Sequence, residues 1–312
     1  MTRAELPPLA RPAVELYEGD CLELLARPEH RARQFELVYV DPPFNTERAH
    51  GARRGPGWRH EGPAAFHDAH GGLDAFLAYL EPRLVAAAAR LAPGGSLWVH
   101  LDHRAVHEVK VLLDRALGRD AYRAEIIWVP GNGARRSAGP AVTHQTLLVY
   151  APGAMLWNTD DPILREPYAD RSLAIHFRKV DGDGRRYRER VAGGRTYRYY
   201  ADTGRALGSV WTDCPAMGAN TPFAREATGY PTQKPERLLE RIVRGATRAG
   251  DAVLDPMCGS GTTLAVAARL GRPSLGIDAS PLACSVARAR LGLGAAPAPT
   301  APRRVTRRAR AS

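Results

Sequence analysis

The chain has 312 residues, 44% of them hydrophobic and 25% charged, so it is long and apolar enough to bury a core in one large domain or two. This composition excludes an intrinsically disordered chain, and no apolar run reaches the length that spans a membrane. The net charge of +11 indicates a polyanionic partner. A composition rich in Arg and Ala, with only three Lys in the chain, is typical of a GC-rich genome, which explains why Arg replaces Lys but not why positive charges are in excess.

Metal binding and export are not indicated. The four cysteines are scattered without metal-ligand spacing, which predicts reduced thiols in the cytoplasm. The N-terminus lacks a signal-peptide pattern. Three histidines lie close together in the sequence, but no carboxylate or thiolate motif accompanies them, so we predict no metal site. These histidines are His100, His103 and His107.

The first half of the chain alternates apolar strands with amphipathic helices. In chain order, the pattern predicts strands at 14–17 and 35–40, a helix over 73–91, a strand at 96–101, a helix over 109–117, and two strands at 124–128 and 145–150. The Gly-, His- and Arg-containing stretch 45–72 predicts a long loop, and loops of that length are usually functional or mobile. These elements predict an α/β fold.

Residues 151–228 are punctuated by Pro, Gly and Arg and show little periodicity. Within 171–205 ten basic residues face four acidic ones, a net charge of +6, and Tyr interleaves with Arg. Because Arg clamps phosphates or reads base edges and Tyr stacks, we favour nucleic-acid contact over a solvated charged face. The candidate contacts are Arg185, Arg186, Arg188, Arg195 and Arg198.

The most informative motif, Asp41-Pro42-Pro43-Phe44, directly follows the apolar strand 35–40. Prolines cannot continue a ladder, so the strand ends there, at the edge of an α/β sheet where ligands bind. A carboxylate and a backbone carbonyl accept the hydrogens of an amino group, and an aromatic ring stacks on a flat ligand.

A second motif runs through residues 251–263, where a short apolar strand ends at Asp255-Pro256 and leads into Gly259-Ser260-Gly261-Thr262. No Lys precedes Thr262, so a nucleotide phosphate loop is excluded. A dinucleotide-binding fold is disfavoured, because Leu264 occupies the position at which that fold has its third Gly or Ala. Asp255 favours a cationic ligand, and Asp278, about 20 residues later at the end of another strand, is placed to bind ribose hydroxyls.

Together with Gly19-Asp20 and Tyr230-Pro231-Thr232-Gln233-Lys234-Pro235, these motifs resemble the S-adenosylmethionine-dependent amino-methyltransferases of DNA. Asp41-Pro42-Pro43-Phe44 resembles the catalytic motif of that family, and the stretch from Asp255 to Thr263 resembles its cofactor motif. The catalytic motif precedes the cofactor motif, which is the order of the circularly permuted β class. The resemblance covers about residues 14–292, with Met257 where the family usually has Phe. It implies a permuted, Rossmann-like class I methyltransferase sheet with an inserted target-recognition region.

The resemblance also implies residue roles. Asp41 and the carbonyl of Pro42 accept the amino hydrogens of a flipped base, Pro43 shapes the turn, and Phe44 stacks on the base. The implied ligands of the cofactor S-adenosylmethionine are Asp20, Thr232, Lys234, Asp255, Pro256, Gly259, Gly261, Thr262 and Asp278.

The implied domain organisation has four parts. Residues 1–150 form the catalytic half of the methyltransferase domain, 151–228 the target-recognition region and 229–293 the cofactor-binding half. Residues 294–312 form a basic tail that we predict to be disordered and to add non-specific affinity for nucleic acid.

The predicted activity is methylation of adenine N6 in double-stranded DNA by base flipping. The first alternative is cytosine N4, for which the family usually has Ser in place of the first Asp. A second alternative is an RNA or protein-glutamine methyltransferase, but those families usually have the cofactor motif first. A third is a catalytically dead DNA-binding protein, and the intact motifs argue against it. Dimers are common in the resembled group, and a cognate restriction endonuclease is a further expected partner. We predict a cytoplasmic protein, associated with the nucleoid through DNA.

Overall fold

The computed structural model describes residues 12–54, 60–131, 139–217 and 225–294. The strands are β1 (Val14–Glu18), β2 (Phe35–Val40), β3 (Arg48–Arg54), β4 (His60–Asp68), β5 (Leu91–Leu101), β6 (Tyr122–Trp128), β7 (Gln145–Tyr150), β8 (Arg165–Glu166), β9 (Lys179–Val180), β10 (Arg186–Ala192), β11 (Arg195–Tyr200), β12 (Arg205–Ala206), β13 (Val210–Trp211), β14 (Val253–Asp255) and β15 (Ser274–Asp278). The helices are α1 (Cys21–Ala26), α2 (Pro28–Arg31), α3 (Leu73–Ala88), α4 (Val106–Leu117), α5 (Asp170–His176), α6 (Glu236–Ala246), α7 (Thr262–Arg269) and α8 (Pro281–Leu291). In these ranges no helix is both long and apolar enough to cross a bilayer.

Within the described ranges, eight strands form one mixed sheet in the order β1-β15-β14-β2-β5-β7-β6-β13. The first five strands in this order, β1, β15, β14, β2 and β5, pair in parallel. β7 is antiparallel to both of its neighbours. β14 pairs with β2, with Leu254 opposite Val38, although the two strands are more than 200 residues apart in sequence. The two sequence motifs therefore meet at one edge of the sheet.

Both faces of the central strand β2 are buried, which explains its continuous apolar run. Val38 and Val40 enter one core with helices α3 and α4. Leu37 and Tyr39 point the other way, into a second core with α6 and α7. The catalytic motif thus follows a strand that is held from both sides.

The predicted long loop at 45–72 is wrong, because β3 and β4 pair there as an antiparallel hairpin. Neither strand has a β-branched residue or a clear alternation of apolar and polar residues, so the usual strand signal is missing. The pairing also shifts register twice, between His50 and Gly51 and between Gly51 and Arg53. The remaining predicted strands and helices are confirmed with shifted ends; α3 ends at Ala88 and β5 begins at Leu91.

The region 151–228 is more regular than its sequence indicates. β10 and β11 form a hairpin around Gly193-Gly194, and β9 adds a third antiparallel strand. Both glycines have positive φ, +55° and +73°, as two-residue hairpin turns require. Apolar periodicity failed to reveal these strands because almost all their side chains are polar and exposed.

Both ends of this region are tied to α6. Near the start, Asp161 accepts two hydrogen bonds from Arg244, at 2.7 and 2.9 Å. Near the end, Asp213 accepts two from Arg241, at 2.6 and 2.8 Å. The predicted domain boundaries stay predictions, and the predicted tail lies almost entirely outside the described residues.

Candidate active site

A cavity of about 270 Å³ opens at the carboxyl ends of β1, β2, β14 and β15. It brings together residues that lie far apart in sequence, as the two motifs predict. All predicted catalytic and cofactor residues except Gly261 line it: Asp20, Asp41, Pro42, Pro43, Phe44, Thr232, Lys234, Asp255, Pro256, Gly259, Thr262 and Asp278. The site is therefore assembled from four strand ends and the segment before α6.

Asp41 is held by a buried lysine. The Lys234 ammonium donates to both oxygens of the Asp41 carboxylate, at 2.7 Å to Oδ1 and 2.5 Å to Oδ2. Burial raises the pKa of Asp41, and the charge of Lys234 opposes that rise. The resemblance implies that Lys234 binds the cofactor. Nothing in the sequence indicates its contact with Asp41, which lies 193 residues away.

Phe44 presents its ring to the same cavity. The Lys234 ammonium lies 4.9 Å from the ring centroid, within the range of a cation–π contact. Behind it, the Tyr39 hydroxyl and His100 Nδ1 form a buried hydrogen bond of 2.8 Å. Burial lowers the pKa of His100 well below its usual value, so this imidazole is neutral.

The turn after the catalytic motif is held by Asp68, at the end of β4. Its carboxylate accepts hydrogen bonds from the backbone N–H groups of Asn45, at 2.7 Å, and Thr46, at 3.0 Å, and from the Thr46 hydroxyl at 2.6 Å. Asn45 has φ +53°, in the left-handed region that Asn adopts more readily than most non-glycine residues. The sequence does not reveal the role of Asp68, because the stretch that carries it lacks the pattern of a strand.

Asp255 and Asp278, two of the predicted cofactor ligands, have different surroundings. Burial raises the pKa of Asp255 to about 7, and the charges of Asp41 and Asp278 add to that rise, while a hydrogen bond from Thr263 opposes it. Asp278 accepts backbone hydrogen bonds from Gly259 and Ser280, both 2.8 Å long. Asp278 therefore shapes the glycine turn as well as facing the cavity.

After the neighbouring strand β1, Asp20 caps α1 by accepting from the N–H of Leu22 at 2.8 Å. Its second oxygen accepts from Arg83, whose guanidinium also lies over the Tyr79 ring, 3.8 Å from the centroid. Both Arg83 and Tyr79 line the cavity. The sequence does not reveal their role, because the pattern of α3 is that of an ordinary amphipathic helix.

The remaining predicted residues divide by role. Thr232 lines the cavity with φ +59°, and its neighbour Gln233 fixes the segment by accepting from the N–H of Thr228 at 3.0 Å. The Thr262 hydroxyl accepts from Arg290 at 2.9 Å. Gly261 does not line the cavity. A Cβ there would lie 3.0 Å from that of Ala287, so this glycine lets α7 and α8 approach.

Most of the predicted DNA-contacting arginines have partners within the chain. Arg185 pairs with Asp202 at 2.8 Å, Arg186 donates to the carbonyls of Phe177 and Leu173, and Arg198 donates to Glu189 at 3.2 Å. The Arg188 guanidinium lies over three aromatic rings: Tyr168, Phe177 and Tyr199. Arg195 differs, since its side chain is exposed and has no hydrogen bond or ion pair with another described residue.

The described ranges hold no group of three or more His, Cys, Asp or Glu side chains that could bind a metal ion. The predicted absence of a metal stays a prediction.

This α/β sheet, with a ligand cavity at its strand ends, is the fold of the class I S-adenosylmethionine-dependent methyltransferases, as the resemblance implied. The crystal structure of M1.HpyAVI in complex with SAM superposes with a TM-score of 0.56 at 18% identity, covering 90% of this chain and all of the other. The cytosine-N4-specific PvuII DNA methyltransferase gives a TM-score of 0.50 at 18% identity, covering 90% of this chain and 89% of the other.

The sequence match identifies the family. The model of the DNA methylase family matches residues 35–289, and the chain belongs to this family. The Type II methyltransferase M.EcaI of Enterobacter cloacae is 27% identical over 85% of this chain and 66% of its own length. The chain spans about two thirds of the length of that relative, 63% of the Type II methyltransferase M2.LlaDCHI of Lactococcus lactis subsp. cremoris and 31% of M2.DpnII of Streptococcus pneumoniae. The predicted family is confirmed.

Proposed function

We propose that the chain methylates the exocyclic N6 of adenine in double-stranded DNA, with S-adenosylmethionine as the methyl donor. One observation carries the proposal: the motif Asp41-Pro42-Pro43-Phe44 and the turn at Gly259 line the same cavity. A site for a flat amino-bearing base therefore adjoins a site for a cationic adenosine ligand. The permuted β-class assignment belongs to the proposal, supported by the chain order of β2 and β14.

The groups around the cavity fit S-adenosylmethionine. Carboxylates of Asp20, Asp255 and Asp278 offer acceptors for amino and hydroxyl groups and complement a positive charge. Gly259, with φ +51°, keeps the turn free of a side chain where the ligand would lie. When bound, this cofactor supplies a methyl group activated by a sulfonium charge.

The residues of the catalytic motif act on the amino group of the base. That nitrogen is a poor nucleophile, since its lone pair is delocalised into the ring. Asp41 and the carbonyl of Pro42 accept its two hydrogens and draw it toward tetrahedral geometry, which localises the lone pair. Phe44 stacks on the base, which must leave the duplex to reach the cavity. Positioning and electrostatic complementarity thus provide the catalysis.

We expect N6-methyladenine as the product, because the motif begins with Asp41. The measurement is a nucleoside digest of DNA incubated with the protein and S-adenosylmethionine, separated by mass spectrometry. N4-methylcytosine as the sole product would overturn the choice of base and keep the rest of the proposal. Methylation of RNA but not of duplex DNA would overturn the substrate, and cofactor binding without any methylation would indicate a DNA-binding protein with a dead site.

The region 151–228 is the proposed site of DNA recognition, and the β10/β11 hairpin has two unlike faces. On one face Arg198 is neutralised by Glu189, which also accepts from Lys179. On the other, Arg190 stands opposite Tyr197 in the register and Arg195 follows the turn. These last three side chains are exposed, and Arg190 and Arg195 have no acidic partner among the described residues. This second face suits phosphate contact and base stacking.

Removing both free arginines, in R190A/R195A, should weaken duplex binding and make its salt dependence shallower. Each lost phosphate contact removes about 0.9 from the slope of log affinity against log salt, so we expect a change of up to about 1.8. The matched control R185A/R198A removes two arginines that already have acidic partners, and its slope should stay close to that of the wild type. Fluorescence anisotropy at several salt concentrations measures both. Equal effects of the two double variants would contradict the assignment of this face.

A homodimer, a cognate restriction endonuclease and a cytoplasmic location near the nucleoid are further parts of the proposal. They rest on the resemblance rather than on a contact within this chain.

A further inference from the structure

The contact between Lys234 and Asp41 is the least explained feature of the cavity. Both groups are withdrawn from solvent, with side-chain exposures of 8% and 19%, and the ammonium reaches both carboxylate oxygens. Truncating one partner of such a pair leaves the other charged group without compensation. An ion pair that only stabilised the fold could lie anywhere in the protein. This pair instead includes Asp41, the acid that begins the catalytic motif.

The segment that carries Lys234 is fixed on both sides. The Gln233 side chain donates to the carbonyl of Glu226 at 2.7 Å and accepts from the Thr228 hydroxyl at 2.7 Å. On the other side, Pro235 is the N-cap of α6, and Glu226 accepts from the N–H of Glu236 at 2.7 Å. Lys234 therefore points at Asp41 from a rigid turn, with little freedom to leave it.

The other charged or titratable groups around Asp41 do not replace this lysine. Asp255 on β14 is a second acid, and the charge of Asp41 contributes to the rise in the pKa of Asp255. Tyr39 on β2 has its pKa raised well above its usual value by burial, and His100 on β5 is neutral. Among the described residues, Lys234 alone makes an ion pair with Asp41.

We propose that Lys234 is a positioning residue that keeps Asp41 ionised and oriented as an acceptor for the amino group of the target base. This inference rests on the function proposed above. A carboxylate has about four lone-pair sites, and the lysine takes one on each oxygen. The remaining sites accept the base amino group, and the cation–π contact places the Phe44 ring beside them.

The proton of the amino group is released once the N–CH3 bond has formed and the S–CH3 bond has broken. The nitrogen then carries the positive charge and is strongly acidic, so the adjacent Asp41 carboxylate, whose pKa is raised by burial, accepts the proton and passes it to solvent.

The test compares K234Q, K234R and the control K110Q, which changes a lysine on α4 that pairs with Asp114 at 2.6 Å. With ¹³C-labelled aspartate, NMR follows the carboxyl titration of Asp41, assigned by its absence in D41N. Loss of the ammonium in K234Q should raise the pKa of Asp41 by about 1 to 3. K234R and K110Q should leave that pKa near the wild-type value.

Single-turnover methylation gives the second measurement. At neutral pH, K234Q should be slower by about 100-fold, because the acceptor is lost or misplaced. Part of this loss should be recovered as the pH rises and Asp41 ionises again. Cofactor affinity, measured by calorimetry, should change less than threefold, and circular dichroism verifies folding. If K234Q does not fold, K234R decides: it keeps the charge, so it should preserve the Asp41 titration and cofactor affinity while turning over more slowly.

An unchanged Asp41 titration in K234Q, with cofactor affinity lowered more than tenfold, would overturn the inference and make Lys234 a cofactor ligand. For K234R, the corresponding contrary result is cofactor affinity lowered more than tenfold. A wild-type protein that methylates no duplex DNA would instead overturn the proposed function. The two failures are distinguishable, because the NMR titration requires neither DNA nor turnover.

Discussion

Replacing Asp41 with Asn is expected to slow methyl transfer by roughly 100- to 1000-fold, the effect of removing one preorganised polar group from a reaction centre. The side chain keeps its size, but one acceptor oxygen becomes a donor that opposes the base amino group. The substitution also removes the charge that Lys234 pairs with at 2.5 Å. A single-turnover assay with labelled methyl donor measures the rate.

Binding should be spared, which separates this effect from misfolding. D41N should bind the cofactor and duplex DNA within a few-fold of the wild type, by calorimetry and anisotropy. The matched control is D74N, an exposed acid in the first turn of α3, and it should be fully active. D41N turnover within tenfold of the wild type would remove Asp41 from the proposed role.

Replacing Asp255 with Asn should stabilise the ligand-free protein at neutral and higher pH. The pKa of this acid is 3.8 without perturbation and about 7 when folded. Below pH 4 the group is protonated in both states and contributes nothing to pH dependence. Between pH 4 and 7 the unfolded chain ionises first, so the wild type loses stability as the pH rises. The total loss is at most about 4 kcal/mol, and it is complete above pH 7.

The measurement is urea unfolding of both proteins at a series of pH values from 4 to 8. The quantity to follow is the difference in unfolding free energy between D255N and the wild type, because other groups cancel in it. This difference should grow through the range and level off near pH 7. A difference that stays constant from pH 4 to 8 would show that Asp255 ionises normally in the folded protein. D74N again serves as the control.

The predictable part of the site is the part encoded by local backbone pattern. Asp41 and Asp278 each end an apolar strand, and Gly259 marks a turn, so their common edge follows from the topology of α/β sheets. Arg83, Asp68 and the partner of Lys234 were not predictable in this way. Their positions depend on how distant segments pack, and an amphipathic helix reveals nothing about which acid its arginine will meet.

The anchoring of 151–228 on α6 bears on how such proteins diversify. Asp161 lies where the chain leaves the main sheet, and Asp213 lies where it returns. Each carboxylate accepts hydrogen bonds from an arginine of α6, and the two arginines are about one helical turn apart. Everything between Asp161 and Asp213, apart from the short strand β13, lies outside the main sheet. A different segment could replace residues 162–209 without rethreading a strand of the main sheet. This connectivity suits the target-recognition role proposed for the region, because the inserted segment can change while the residues of the cavity stay the same.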